Sequence, residues 1–212
     1  MAPSRKGSSH GRVVHASRNL LIAAVSAVVL CTGLAGVARA ATLCTGIKNT
    51  CREPGRSSLR IKNTSDHAQN RIAWKWLRGA ATTVADFGTP TGTTQYALCI
   101  YTGTSSAEAD IAPSSTLWAK DRNGFRYKDR ALSSDGIRKV NLASGSAGKA
   151  KVVVTGKGAN LPPLPTGPLT LPVTVQLVNN TNAVCFESVF TSADVKANQN
   201  TAALFKAKFP PR

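Results

Sequence analysis

The feature that most constrains this chain is the alternation of apolar and polar residues in short segments downstream of residue 40. In RIAWKWLR, for example, the side chains of Ile72, Trp74 and Trp76 share one face. Period two is the repeat of a β-strand with one buried face. The same pattern occurs in YALCIY, GFRYKDR, KAKVVVTGK, LPVTVQLVN and AVCFESVFT. No segment of comparable length has helical spacing, so we predict an all-β fold.

Turn-forming residues separate these segments and indicate how the strands connect. Asn123-Gly124 favours a two-residue hairpin between the strand of Trp118 and that of Phe125. Five prolines lie between Asn160 and Pro172, and proline cannot donate to a strand ladder, so this stretch is predicted to be a connection or a sheet edge. The tail from Ala193 to Ala207 is compatible with a turn of helix, but LFKAKF also fits a closing strand. Eight or nine short strands favour an antiparallel β-sandwich, with a barrel as the alternative.

The first forty residues are typical of a secretory signal peptide. Basic residues without any acidic one precede an apolar run from Leu20 to Leu30, and Ala38-Arg39-Ala40 has the small residues that signal peptidase accepts. An uncleaved anchor over Leu20–Ala38 is the alternative. We predict cleavage after Ala40, a disulfide-bearing segment at 41–58, one β-sandwich domain at 59–212 and no membrane span in the mature chain. The expected location is secreted or periplasmic.

Cysteine usage agrees with export. Cleavage would remove Cys31 and leave four cysteines, which in an exported chain imply up to two disulfides. Zinc binding is the competing interpretation, but there is no C-x-x-C pair. Because Cys44 and Cys51 flank a short loop, we predict that they pair with each other. Cys99 and Cys185, both inside strand-like segments, would then join two strands.

Several of these segments also resemble a module that recurs in uncharacterised exported bacterial proteins. The resemblance covers roughly Leu59 to Phe209 and is carried by RIAWKWLRGA, ADFGTP, YALCIYTG, FRYKD, GKAKVVVTGKGANLP, VTVQLVN and FKAK. The module often has Cys-Trp where this chain has Cys185-Phe186, and often a further cysteine pair near Leu117-Trp118 that is absent here. The resemblance implies export and one β-rich domain, and it implies no activity.

Charge is the strongest functional signal in the sequence. The 212 residues include 27 Lys and Arg against 10 Asp and Glu, a formal net charge of +17. Alternation places basic residues on one side of the strand around Phe125, and a second basic row is expected around Lys149, Lys151 and Lys157. If the rows are adjacent, they form a cationic stripe suited to phosphates, sulfates or anionic sugars. The predicted polyanion-binding residues are Lys120, Arg122, Arg126, Lys128, Arg130, Lys149 and Lys151. The interpretation that we favour from the sequence is that these cations blunt exposed strand edges and keep the protein soluble, with polyanion binding as the alternative.

Other chemistries have weak support. Three histidines are too few for a site built on several imidazoles, and His67 lies beside Asp66 in a polar stretch typical of a solvated loop. Carboxylates could form a glycosidase pair, with Glu187 the most notable, but spacing alone pairs none of them. Trp74, Trp76 and Trp118 could stack on sugars, yet Trp74 and Trp76 share a face with Ile72, which favours the core for those two. No catalytic residue, metal site or cofactor is predicted.

The sequence therefore favours an exported, non-catalytic β-sandwich with a binding or envelope-associated structural role. Its expected partner, where it has one, is an anionic polymer or a component of the cell envelope. Polyanion recognition through the 120–130 region is the first alternative, and a carboxylate-dependent polysaccharide hydrolase is the second.

Overall fold

Two antiparallel β-sheets face each other in the computed structural model, which describes residues 42–165 and 167–209. One sheet has eight strands and the other has four, and the described strands close no barrel. The predicted β-sandwich is therefore confirmed. The predicted signal peptide lies outside the described residues.

The described residues form twelve strands, four more than the segments recognised in the sequence. In chain order they are β1 (Pro54–Lys62), β2 (Arg71–Gly79), β3 (Tyr96–Thr102), β4 (Ser105–Ile111), β5 (Trp118–Asp121), β6 (Gly124–Lys128), β7 (Ile137–Ala143), β8 (Ala150–Lys157), β9 (Val173–Asn179), β10 (Phe186–Phe190), β11 (Val195–Asn200) and β12 (Leu204–Phe209). Short 3-10 turns occur at His67–Gln69, Ala85–Phe87 and Ser192–Asp194.

The strand order within each sheet departs from the chain order. The large sheet runs β11-β12-β1-β2-β8-β7-β6-β5, and the small sheet runs β10-β9-β3-β4. β1, β2, β8 and β7 are thus central strands of the large sheet, while β11 and β5 form its edges. Since β8 pairs with β2, segments about eighty residues apart in the chain are neighbours there.

The core between the sheets is built from the inward side chains of both. Trp74 and Trp76 are buried there, so their interpretation as core residues is confirmed, and Trp118 is buried with them. The Trp76 indole packs edge-on against Phe186, with ring centroids 5.2 Å apart. Trp74 donates from Nε1 to the Ser188 hydroxyl at 3.0 Å, which satisfies its one polar atom inside the core.

Both predicted connections are present. β5 and β6 form a hairpin in which Asp121 pairs with Gly124, so the two loop residues are Arg122 and Asn123 and the loop begins one residue earlier than predicted. The proline-rich stretch carries the chain from β8 in the large sheet to β9 in the small one. Leu161, Leu164 and Leu169 of this stretch are buried in the core, and Leu171 packs against it partly buried. LFKAKF forms the closing strand β12.

The predicted disulfide pairing is wrong. Cys44 is bonded to Cys99 and Cys51 to Cys185, with Cα atoms 5.5 and 4.6 Å apart. The segment that carries Cys44 and Cys51 does not turn back as a loop. It crosses the small sheet, so each of its cysteines meets a different part of that sheet. Two disulfides are typical of a protein that resides in an oxidising compartment outside the cytoplasm.

This segment, residues 42–52, is called the N-terminal strap here. It begins over β4, where the Glu108 carboxylate accepts the backbone N–H groups of Leu43 and Cys44 at 2.6 and 3.2 Å. It continues over β9, where the Gln176 amide exchanges two hydrogen bonds with the Lys48 backbone, at 3.0 and 2.8 Å. The strap therefore covers the outer face of the small sheet.

Among the residues described, no helix has both the length and the apolar character needed to cross a membrane.

Candidate functional site

Charge is divided unequally between the two sheets. The strands of the small sheet contain no Lys or Arg and three acidic residues, Glu108, Asp110 and Glu187. The strands of the large sheet contain a single acidic residue, Asp121, against sixteen basic ones. These are Arg56, Arg60, Lys62, Arg71, Lys75, Arg78, Lys120, Arg126, Lys128, Arg138, Lys139, Lys151, Lys157, Lys196, Lys206 and Lys208.

Strand alternation places most of these cations on the outer face of the large sheet. In β1 and β2 the inward residues, such as Leu59 and Trp74, are buried, so the residues between them point to solvent. A register shift in β7 leaves both Arg138 and Lys139 exposed. We call this surface the cationic face; it consists of Arg56, Arg60, Lys62, Arg71, Lys75, Arg126, Lys128, Arg138, Lys139, Lys151, Lys157, Lys206 and Lys208.

Like charges lie directly opposite each other on this face. Cross-strand partners on one face of an antiparallel pair lie within contact distance, and two like charges there destabilise the sheet. No opposite-charge pair compensates for them in the strand registers of the described large sheet. The like-charged partners are Lys128 with Lys139, Arg71 with both Lys157 and Lys62, and Arg60 with Lys206.

Counter-ions from the protein are almost absent from the cationic face. Arg126 forms an ion pair with Asp121 at 3.0 Å, and both side chains are largely exposed. For the other cations of the face, the residues at 42–165 and 167–209 provide no carboxylate within 4.0 Å. Their charge is therefore balanced by solvent and dissolved ions.

Three depressions along the large sheet are lined by these cations. The first, about 540 Å³, covers β5 to β7 and includes Arg126, Lys128 and Lys139. The second, about 640 Å³, lies over β11 and β12, where Lys196 joins Lys206 and Lys208, and Asp194 also lines it. The third, about 320 Å³, lies between these two, and its described lining contains no acidic residue. We call it the arginine groove; its cations are Arg60, Arg71, Arg138, Lys139 and Lys157.

The predicted polyanion-binding residues are only partly gathered on this face. Arg126, Lys128 and Lys151 belong to it. Lys120 has the same parity as Trp118 and is exposed at the sheet rim, and Arg122 lies in the hairpin turn. Arg130 follows the end of β6, and Lys149 precedes β8. The two predicted rows are not adjacent, because β7 lies between β6 and β8.

Arg60, Arg71, Arg138 and Lys139, which line the arginine groove, were not among the binding residues predicted from the sequence. The alternation of Arg60 with Leu59 and Ile61 was the available signal in β1. In β7 the register shift at Arg138 interrupts the alternation and conceals the strand.

No Phe, Trp or Tyr ring is exposed among the residues described. The described residues contain every aromatic residue of the chain, and all are buried except Tyr101. Tyr101 is half-buried under the strap and donates its hydroxyl hydrogen to the Gly46 carbonyl at 2.9 Å. The cationic face therefore offers charge and hydrogen-bond donors but no platform for stacking sugars or bases.

The shifted pKa values follow from local packing and hydrogen bonding and belong to groups outside the cationic face. The hydrogen bond from Arg52 lowers the pKa of Asp86 to about 2. Burial, with the nearby charge of Glu108, raises the pKa of Asp110. Burial also raises the pKa of Tyr127 to about 12. Burial opposes ionisation of Asp129, but the Ser133 hydroxyl and backbone N–H groups donate to its carboxylate and lower its pKa overall.

Catalytic and metal-binding arrangements have less support in the described structure. His67 lies in an exposed turn beside Asn70, while Asp66 accepts the Ala68 N–H. Glu53 and Glu187 both line a depression of about 240 Å³ near β1 and β10. Nothing else in the described structure tests the hydrolase alternative, which stays a prediction. No cluster of three or more His, Cys, Asp or Glu suited to a metal ion occurs among the residues described.

No protein-family model, curated protein or solved structure matches the chain.

Proposed function

We propose that this protein is an exported, non-catalytic binding module that holds an extended anionic polymer on its cationic face. The observation that carries the proposal is the set of like-charged cross-strand partners in the large sheet. Each pair costs stability unless an anion lies between or above its members. A polymer with regularly spaced negative charges would neutralise several pairs at once.

Protection of sheet edges does not account for the position of these charges. Lysines blunt an edge strand because they hinder its pairing with another chain. Arg60, Arg71 and Lys139, however, lie on β1, β2 and β7, which are paired on both sides. Solubility would be served equally well by mixed charges. The surplus of one sign at the centre of a sheet therefore favours ligand binding.

The shape and chemistry of the face favour a polymer recognised by its charge. Depressions with cations follow one another from β5 to β11, so a chain lying across the strands would meet positive charge along the width of the sheet. The lack of exposed aromatic rings disfavours ligands that bind through stacking.

The proposal is tested by salt-dependent retention of the purified, disulfide-bonded protein on immobilised dextran sulfate. A face variant combines Lys75→Gln, Lys128→Gln and Lys208→Gln. The matched control combines Lys48→Gln, Lys120→Gln and Arg122→Gln, which removes the same charge from positions off the face. We expect the face variant to elute at lower salt and to lose about one unit of log–log salt slope per lost contact. Absence of retention at physiological salt, or equal shifts in the two variants, would overturn the proposal.

A further inference from the structure

We infer that the arginine groove is a dedicated subsite for a tetrahedral oxyanion, a phosphate or sulfate ester carried by the polymer. This inference rests on the proposed function and deepens it. It assigns one part of the face a chemical preference, whereas the remaining cations contribute through charge alone.

The groove exists because two small residues interrupt a row of long ones. Across the sheet, one row of partners runs from Arg60 on β1 through Ala73 on β2 and Thr155 on β8 to Lys139 on β7. Arg60 and Lys139 are thus three strand spacings apart, roughly 14 Å. Ala73 and Thr155 form the floor between them, and the long side chains form the walls.

A second row of cations closes one end of the groove. Arg71 and Lys157 are direct cross-strand partners and both line it, next to the floor residues of their own strands. Arg138 lines it from the β7 side, where the register shift keeps both Arg138 and Lys139 exposed. Donors therefore approach the groove from β1, β2, β7 and β8, which suits an anion with oxygens in several directions.

Arginine is concentrated in the groove relative to the rest of the face. The cationic face has five arginines, of which Arg60, Arg71 and Arg138 line the groove. A guanidinium presents planar paired donors that match two oxygens of a phosphate or sulfate, while an ammonium acts as a point charge. Elsewhere on the face lysine predominates, and one of the two remaining arginines, Arg126, is paired with Asp121.

The floor adds a neutral hydrogen-bonding group. Thr155 is half-buried, and its hydroxyl has no hydrogen-bond partner within the described structure, so it is free to donate to an anion in the groove. A single carboxylate has one charge and two oxygens in one plane and would leave most of these donors unused. A tetrahedral ester offers up to three terminal oxygens to them.

A larger side chain on the floor of the arginine groove tests whether the groove is a shaped subsite or only a region of positive charge. Ala73→Gln fills the groove and removes no cation. Ser58→Gln is the control, because Ser58 is also half-buried on the outer face of β1 but does not line the groove. Binding of the purified, disulfide-bonded protein is measured by calorimetry with polyphosphate, dextran sulfate and polygalacturonate of similar length. Thermal unfolding confirms that the variants are folded.

For Ala73→Gln we expect about tenfold weaker binding of polyphosphate, dextran sulfate or both, the equivalent of one lost charge-assisted hydrogen bond. Polygalacturonate binding and the Ser58→Gln variant should change by less than about twofold. The polymer with the larger loss identifies phosphate or sulfate as the group. If all polymers bind the unaltered protein and Ala73→Gln weakens none, or weakens all equally, the groove inference is wrong and the proposed function stands. If no polymer binds, both fail.

A second variant keeps the inference testable if Ala73→Gln does not fold. Arg60→Lys with Arg71→Lys preserves the charge and removes two guanidinium forks, and Arg56→Lys is the control outside the groove. We expect the double variant to lose affinity for the phosphate or sulfate polymer while its salt slope stays constant. Unchanged affinity would overturn the inference.

Discussion

The outer faces of the two sheets differ in what covers them. Each sheet buries one face in the shared core and has its other face outside that core. The small sheet is covered by the N-terminal strap, which is attached through Cys44–Cys99 and Cys51–Cys185. Among the residues described, no segment covers the large sheet in this way, and its outer face carries cations along its width. That exposed face is the surface on which we propose that the polymer binds.

Hydrogen bonding on the two faces differs accordingly. Gln176 is buried at the centre of the small sheet, where it bonds to the Lys48 backbone and donates to Glu187 at 2.6 Å. Glu108 accepts two backbone N–H groups of the strap. The polar groups of the small face are thus satisfied within the protein, whereas those of the cationic face depend on solvent or on a ligand.

The largest expected effect comes from detaching the strap. Cys51→Ser with Cys185→Ser opens a loop closed over 134 residues, and Cys44→Ser with Cys99→Ser opens one closed over 55. We expect each double variant to lose about 2–5 kcal/mol of unfolding free energy, measured by urea denaturation. In material that remains folded, polymer binding by the cationic face should persist. Loss of binding in a folded variant would show that the two faces are not independent.

The central polar residue of the covered face gives the next effect. Gln176→Leu leaves the Lys48 backbone groups and Glu187 without their partner, so we expect a loss of about 2–3 kcal/mol. The matched variant on the uncovered face is Asn141→Leu, at a half-buried outward position of β7, with an expected change within about 0.5 kcal/mol. Urea denaturation measures both. Equal losses would contradict the contrast between the two faces.

Acid titration probes the end of the strap, where Arg52 pairs with Asp86 at 2.8 Å. The pKa of Asp86 is lowered from 3.8 to about 2, so its ionised form stabilises the native state above the unfolded-state pKa. That contribution is lost as the pH falls from about 4 to 2. We expect Asp86→Asn to cost about 1–2 kcal/mol at pH 6 and almost nothing at pH 2. A cost independent of pH would rule out the ion pair as its source.

The smallest effect concerns the one acidic residue in the strands of the large sheet. Asp121→Asn removes an exposed ion pair, so the free energy of unfolding should change by at most about 0.5 kcal/mol. Arg126 becomes available to a ligand, and the affinity for dextran sulfate should rise slightly, with a salt slope steeper by less than about one. Weaker retention on the dextran sulfate column would contradict the assignment of Arg126 to the binding face.

Alternation predicted the strands whose inward residues are large and apolar, such as β2 with Trp74 and Trp76. The strands that it missed lack a clear alternation of large apolar and polar residues. β4 has the sequence SSAEADI, with alanines as most of its inward residues, and β11 is a polar edge strand. β1 turns Ser57 inward, where it shares a hydrogen bond with Ser188 at 2.7 Å. In β7 the register shift breaks the period.

The sequence by itself favoured the β-sandwich over a barrel and indicated the inward position of Trp74 and Trp76 and the side of each recognised strand on which its cations lie. These are local properties, because alternation with period two assigns a face to each residue without reference to any other strand. Only the tertiary structure decided which strands are neighbours, and with that the disulfide partners and the arginine groove. Arg71 and Lys157 meet because β2 pairs with β8, and Cys44 reaches Cys99 because the strap crosses β3. Such contacts depend on the packing of the whole chain. The alternation within one segment contains no information about which other segment lies beside it.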